Sequence, residues 1–329
     1  MNALSQLLTA FPRVKVVVIG DLVADHYIYG QTERVSREAP VLIVRHEADE
    51  VKLGGAANAA ANARALGAQV TAIGMLGNDA IGDAMRAQFK KADIALHAVT
   101  HRQLATETKT RVLAGGQNTS RQQMLRIDRG HAGPFPKEIQ VKLAQAVKRL
   151  GSKADVVIVS DYGAGVLSAP VIAALQSLAA QGVPVCVDSR FSLLSFRGLT
   201  LCKPNEPELA AFTGLPVATD GQLKLAASKA MRLLKSSALL VTRGKNGMAL
   251  FEAKKPPQFI AVFGQQEAVD VTGAGDTVSA TLAVSLGAGA TLSAAAQLAN
   301  VAGALVVQKQ GTATVSAAEL NRALPTRNS

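Results

Sequence analysis

The sequence predicts an α/β fold: a mainly parallel central sheet with helices on both faces, and a small β-sheet lid projecting from it. Three observations lead there. Short β-branched runs end at acidic or glycine turns, Ala- and Leu-rich helical stretches alternate with them, and two strand-rich segments break that rhythm. Strands buried on both faces read as near-continuous apolar runs, and parallel neighbours need a crossover long enough for a helix.

Residues 14–19 form the first such run, closing on Gly20 and Asp21. Residues 156–160 close on Asp161, 184–187 on Asp188, and 238–242 on Arg243 and Gly244. Helices are expected over 55–66, 79–91, 136–150, 169–180 and 221–234. The uncharged run 277–308 is broken by Gly287 and Gly289 and carries Ser279, Ser285, Gln297 and Asn300. It predicts two buried helices of a soluble protein in place of a membrane span. Segments 27–53 and 98–128 have no helical period but contain strand-like pieces at 41–44, 108–113 and 122–127, so both are expected in the lid. Residues 1–329 read as one domain. Ligands of such sheets collect at the carboxyl ends of strands, which singles out Asp21, Asp161, Asp188 and Thr242.

Composition bounds the function. With 48% apolar and 18% charged residues in 329, there is ample core and no disorder signature. Aromatics reach 4% with no Trp, which argues against base-stacking RNA readers. Two cysteines, Cys186 and Cys202, lie in no CxxC or Cys/His cluster, so a reducing compartment and no structural zinc are expected. Residues 1–12 have no basic residue before their apolar stretch, unlike a signal peptide, and a cytoplasmic location follows. Net charge is +11, but basic residues cluster no further than pairs such as Lys90 and Lys91. That pattern favours anionic metabolites over nucleic acid.

The strongest chemical signal is Gly273, Ala274, Gly275 and Asp276 opening a long uncharged helix. Glycines there allow bare N–H groups to face outward from a helix N-terminus, an anion site beside a carboxylate. Phosphoryl transfer to an alcohol needs both parts, one to deprotonate the hydroxyl and one to hold charge on the moving group. A capped helix with an early Asp is the plain alternative. Gly54 and Gly55 feed an Ala-rich helix with Asn58, and Asn62 one turn on, a pattern open to a polyol or to tight packing alone. Asn205 and Glu208, framed by Pro204 and Pro207, could hold Mg²⁺ through water or simply start a helix. No GxxxxGK[ST], HExxH or GxSxG occurs, and none of three GxG pairs has the third glycine of a dinucleotide fingerprint. A nicotinamide oxidoreductase is therefore disfavoured, and a non-catalytic sugar- or nucleotide-binding regulator would be marked by loss of the carboxylate that Asp276 retains.

Taken in order, Gly20 and Asp21, the Gly54–Asn58 loop, Asn205 with Glu208, Thr242 with Gly244 and Gly247, and Gly273 to Asp276 resemble the PfkB/ribokinase family of carbohydrate kinases. The resemblance covers essentially the whole chain, and the last motif, led by Asp270 and Thr272, is the most specific. Residues 20–30 and 34–41, Ser160 to Tyr162, and 311–316 are most similar to the family's D-glycero-β-D-manno-heptose 7-phosphate kinases of ADP-heptose synthesis, which make a lipopolysaccharide precursor.

The resemblance implies a ribokinase-like three-layer α/β/α sandwich and ATP-dependent phosphorylation of the anomeric hydroxyl of the heptose phosphate. Asp276 is the implied base, with the amides of Gly273, Ala274 and Gly275 as anion hole. Asp21, Asp25, Gly54, Gly55, Asn58 and Asp161 belong to the implied sugar site, with Lys109 and Arg111 on the lid as candidates for the substrate's own phosphate or, alternatively, solvated edge-strand charges. Asn205 and Glu208 serve Mg²⁺ and ATP; Thr242, Gly244, Gly247 and Asn300 line the nucleotide; Asp270, Thr272 and Gly311 match a K⁺ site. A homodimer through the lid is implied too. Two departures stand out: Gly163, Ala164 and Gly165 stand where the pattern has a Lys soon after Ser160 to Tyr162, and Asp188, Ser189 and Arg190 replace Asp-Pro-Lys, so the acceptor could differ from heptose phosphate. The bifunctional relatives' HxGH nucleotidyltransferase motif does not occur, so a kinase acting alone is expected.

Overall fold

The computed structural model describes residues 3–116, 120–131, 133–191, 193–264 and 267–324. In chain order the strands are β1 (Lys15–Gly20), β2 (Leu22–Val35), β3 (Leu42–Gly55), β4 (Gln69–Met75), β5 (Ala95–Val99), β6 (Thr108–Gly115), β7 (Gln122–Arg129), β8 (Val156–Asp161), β9 (Val185–Ser189), β10 (Leu201–Cys202), β11 (Ala238–Thr242), β12 (Met248–Glu252) and β13 (Gln258–Ile260). The helices are α1 (Ala3–Leu8), α2 (Ala56–Ala65), α3 (Ala80–Lys91), α4 (Lys137–Gly151), α5 (Ala169–Ala180), α6 (Glu206–Thr213), α7 (Asp220–Leu234), α8 (Ala274–Gly287), α9 (Leu292–Val306) and α10 (Ala317–Ala323).

Nine strands form the main sheet in the order β13-β12-β11-β10-β9-β8-β1-β4-β5. From β11 to β5 all neighbours are parallel, while β12 and β13 fold back antiparallel at one edge. Alternation along each strand builds two cores. On β1, Val16 and Val18 pack with α2, α8 and α9, whereas Val17 and Ile19 pack with α4 and α5 on the other face. The three-layer sandwich is thus present as expected. None of the helices among the described residues is long and apolar enough to cross a membrane. Cys186 and Cys202 are free and buried, and burial pushes both thiols up to about 12.

The lid is a four-stranded sheet in the order β3-β2-β6-β7. Its first strand leaves the main sheet directly: β1 ends at Gly20 and β2 starts at Leu22, five residues before the expected lid boundary at 27. The other boundary also needs correction. Ala98 and Val99 lie in β5, parallel to β4 in the main sheet, and lid pairing resumes only at Thr108. The main sheet holds five strands beyond the four expected. β4 is interrupted in composition by Thr71 and Gly74, β10 is two residues long, and β12 and β13 depend on antiparallel pairing that no local run signals.

Candidate active site

The site forms where α8 begins against the carboxyl ends of β1, β8, β9, β10 and β11. Gly273 caps α8 in the left-handed region (φ 76°), and a Cβ there would stand 2.7 Å from Asn58 Nδ2, so a side chain is excluded twice over. That turn swings Asp276 inward, where it is 3% exposed in the first helical turn.

Both carboxylate oxygens of Asp276 are engaged. Asn58 Nδ2 donates to Oδ2 at 2.8 Å and the Tyr162 hydroxyl donates to Oδ1 at 3.0 Å. Burial, and next the Asp188 carboxylate, pushes the Asp276 carboxyl up to about 7, against the pull of those two donors and of Lys203. Burial first, then Asp276, drives the Tyr162 phenol far upward, so it stays a donor. Asp188 accepts from Lys203 Nζ at 2.9 Å and from the Ser279 hydroxyl at 2.9 Å. A buried carboxyl near neutrality inside a charged cleft has the properties of a general base.

Two adjoining cavities meet beside it. One, of about 610 Å³, is lined by Asp276, Tyr162, Arg190, Lys203, Asn205 and Glu208 among others. The second, also about 610 Å³, is mainly apolar, with Gly247, Met248, Val262, Val278, Asn300 and Val307 in its wall. Thr242, Gly244 and Gly275 border both. A polar half followed by an apolar half suits a phosphate chain followed by a flat base.

The expected residues fall around this cleft in distinct roles. Asp21 spends both oxygens on the 162–166 loop, accepting from the amides of Tyr162 (2.8 Å), Ala164 (3.1 Å) and Val166 (3.2 Å), and burial raises its pKa. Asp161 accepts from the Gly163 amide and, at 2.6 Å, from the Ser189 hydroxyl. Asp25 lies against Gly54 and is paired with Arg111 at 2.5 Å, while Gly55 caps α2. Asn205 and Glu208 form a reciprocal capping box at the start of α6, Asn205 Oδ1 accepting from the Glu208 amide (2.8 Å) and Glu208 Oε2 from the Asn205 amide (2.9 Å). Asn300 Nδ2 donates to the Ala261 carbonyl at 2.7 Å and so fixes the wall of the apolar cavity. The Ala274 amide donates back to the Val271 carbonyl at 3.2 Å, which commits one of the three amides expected in the anion hole.

Asp270, Thr272 and Gly311 do come together. Asp270 accepts from the Thr272 amide at 2.9 Å and the Gly311 amide at 2.8 Å. Burial raises its carboxyl, but the bonds from Thr272 and Gly311 outweigh it and hold the pKa below the usual carboxylate range. These three residues line a cavity of about 700 Å³ together with Tyr27, Tyr29, Lys52, Arg111 and Arg121.

Sequence reasoning gave no role to Tyr162 or Lys203, and it singled out Asp188 and Arg190 only as a strand-end departure from the family's Asp-Pro-Lys. Lys109 Nζ lies 5.4 Å and the Arg190 guanidinium 5.0 Å from the Tyr162 ring centroid, a cation–π arrangement. Their shared local signal was position: Tyr162, Arg190 and Lys203 each follow a strand of the parallel sheet at its carboxyl end.

Comparison with known proteins bears on this arrangement. The family described as pfkB family carbohydrate kinase matches residues 13–319. The chain is 41% identical over 323 residues to the bifunctional protein HldE of Caulobacter vibrioides, covering 97% of this chain and 65% of that protein. It therefore spans just under two thirds of the length of such relatives. Arabidopsis thaliana ribokinase complexed with ribose and ATP superposes with a TM-score of 0.75 at 23% identity, covering 94% of this chain and 98% of the other. Escherichia coli phosphofructokinase-2 in complex with potassium does so with a TM-score of 0.78 at 18% identity, covering 94% and 97%. The two structures share the fold.

Proposed function

The chain belongs to the pfkB family of carbohydrate kinases, and from that premise we propose that it transfers the γ-phosphoryl of ATP to the anomeric hydroxyl of D-glycero-D-manno-heptose 7-phosphate, giving the 1,7-bisphosphate. The observation that carries the reading is the buried Asp276 carboxyl at the N-terminus of α8, in the wall of the polar cavity. The acceptor hydroxyl gives its proton to Asp276 as its oxygen bonds to the γ-phosphorus, and ADP leaves with the electrons of the broken P–O bond. The amides at the start of α8, with Lys203, meet the charge on the moving group. The apolar cavity holds adenine beside Asn300, and Thr242, Gly244 and Gly247 frame the rest of the nucleotide.

Asn205 and Glu208 border the polar cavity with oxygen-bearing side chains already braced by their capping box, a donor set that suits Mg²⁺ held through water. Bound there, the metal supplies charge neutralisation for the phosphates. Asp270, braced by the Thr272 and Gly311 amides, would supply a carboxylate oxygen to a K⁺ ion there.

Asp21, Asp25, Gly54, Gly55, Asn58 and Asp161 shape the sugar side of the site. Lys109, Arg111, Lys52 and Arg190 make that side cationic, which supports an acceptor that already carries a phosphate. The HldE relatives favour the heptose phosphate in particular; Ala164 and Arg190 favour keeping other phosphorylated sugars in the trial. Lid closure excludes water from the phosphoryl group. Val35, Leu42, Leu125 and Ile127 are exposed on the lid strands and support a homodimer through it. The two buried, protonated thiols fit the cytoplasm.

The test is incubation with MgATP and a panel of free and phosphorylated sugars, with products identified by phosphorus NMR. Anomeric phosphorylation of the heptose 7-phosphate is the expected outcome. Phosphorylation of unphosphorylated sugars alone overturns the heptose reading.

A further inference from the structure

A closed ring of buried polar side chains joins α2 to α8 behind the site. Thr277 Oγ1 donates to Asn62 Oδ1 at 2.8 Å; Asn62 Nδ2 donates to Asn58 Oδ1 at 3.2 Å; Asn58 Nδ2 donates to Asp276 Oδ2 at 2.8 Å. All four residues are buried, and Asp276 and Thr277 are adjacent, so the ring closes through one peptide bond.

Its direction is not arbitrary. An amide side chain can turn over and exchange its oxygen and nitrogen, and a hydroxyl can donate or accept. A backbone carbonyl can only accept. Asn62 Nδ2 also donates to the main-chain oxygen of Asn58 at 3.0 Å. Turning the Asn62 amide over would set two acceptor oxygens against each other inside the protein, a costly arrangement. The Asn62 NH₂ must therefore face Asn58, which leaves its Oδ1 for the Thr277 hydroxyl and forces Asn58 to present Oδ1 backwards. The Asn58 NH₂ is then committed to Asp276.

We propose that Asn62 and Thr277 are positioning residues for the phosphoryl-transfer reaction: anchored by the Asn58 main-chain carbonyl, they fix the Asn58 amide so that it holds Oδ2 of Asp276 and leaves Oδ1 turned to the cleft. This rests on Asp276 being the base. Asn58 accordingly acts on the carboxylate through one N–H of its amide, beside its place on the sugar side of the site. The ring is matched to the ionised base, because a donor faces Oδ2.

The charged groups around Asp276 come from elsewhere. Tyr162, Asp188 and Lys203 face it from the ends of β8, β9 and β10. Arg190, Glu206, Glu208, Arg243 and Lys245 line the same cleft. Asp161 is bonded to Ser189 and Asp21 to the 162–166 amides. The ionisable residue of α2, Arg64, is paired with Asp93, and α9 carries none. The ring supplies orientation without charge.

The experiment compares Asn62→Leu, Thr277→Val and Thr277→Ser with the wild type in kcat against pH at saturating MgATP and sugar phosphate, alongside the Kd for a non-hydrolysable ATP analogue. Asn62→Leu is expected to lower kcat about 10–100-fold, as a misplaced reacting group does, and to move the acid limb of the profile up by roughly one pH unit. Thr277→Val should move both quantities the same way by less, with Thr277→Ser restoring them and the analogue Kd constant throughout. If Asn62→Leu does not fold, the Val/Ser pair at Thr277 decides. Profiles that keep the wild-type midpoint, or a Thr277→Ser variant no better than Thr277→Val, overturn the proposal. Activity surviving in Asp276→Asn would instead overturn the reading it rests on.

Discussion

Asn58 on α2 and Asp276 on α8, 218 residues apart in the chain, are joined by a hydrogen bond of 2.8 Å that is sealed from solvent. It ties the helix after β3, the lid's second strand in the chain, to the helix that opens at Gly273. Asp276 is therefore positioned by the packing of α2 against α8.

The raised pKa of Asp276 sets a pH dependence of activity that should begin near neutrality. Below about 7 the carboxyl is protonated and cannot accept the acceptor's proton, so kcat should climb tenfold per pH unit up to that point and then level. A profile of kcat against pH measures the midpoint directly.

The same shift carries a stability consequence. A carboxyl at 3.8 unfolded and about 7 folded favours the native state in acid and loses that contribution as pH rises through 7. Asp276→Asn removes the burden of the buried charge. Its Tm should match the wild type near pH 4 and exceed it by about 2–5 °C at pH 8; thermal melts across that range give the difference.

Asp188 is the like charge that helps raise Asp276, while Lys203 opposes it. Asp188→Asn should lower the midpoint of the kcat profile by roughly half to one unit, because repulsion goes and the ammonium remains. This is opposite in sign to the effect expected of Asn62→Leu.

Gly247 joins β11 to β12 at φ 76°, and a Cβ would overlap the Ile260 carbonyl oxygen of β13. Gly247→Ala should destabilise the protein by at least about 2 kcal/mol, from left-handed strain and overlap together. The shift in urea midpoint at constant m reads it.

Much of this site was legible in the chain, and the reason is topological. Runs ending in Asp21, Asp161, Asp188 and Thr242 had to finish on one edge of a parallel sheet, and that edge borders the cleft. The capping box of Asn205 and Glu208 was visible as a spacing, as was the glycine turn before Asp276. Tyr162 and Lys203 were given no role, and Arg190 only a departure from the family pattern, because their meaning depends on which strands adjoin. Asn58 was read as a sugar contact, and spacing could not show that its amide also bonds Asn62 and Asp276. Strands β5 and β10 escaped notice because pairing, not composition, makes them strands.

The most direct measurement is the single-turnover rate of Asp276→Asn with MgATP and heptose 7-phosphate, taken with the Kd of an ATP analogue. A loss of about 10³-fold with the Kd unchanged within about threefold is what a buried general base requires. A variant that keeps more than about a tenth of the wild-type rate contradicts the assignment of Asp276 as that base.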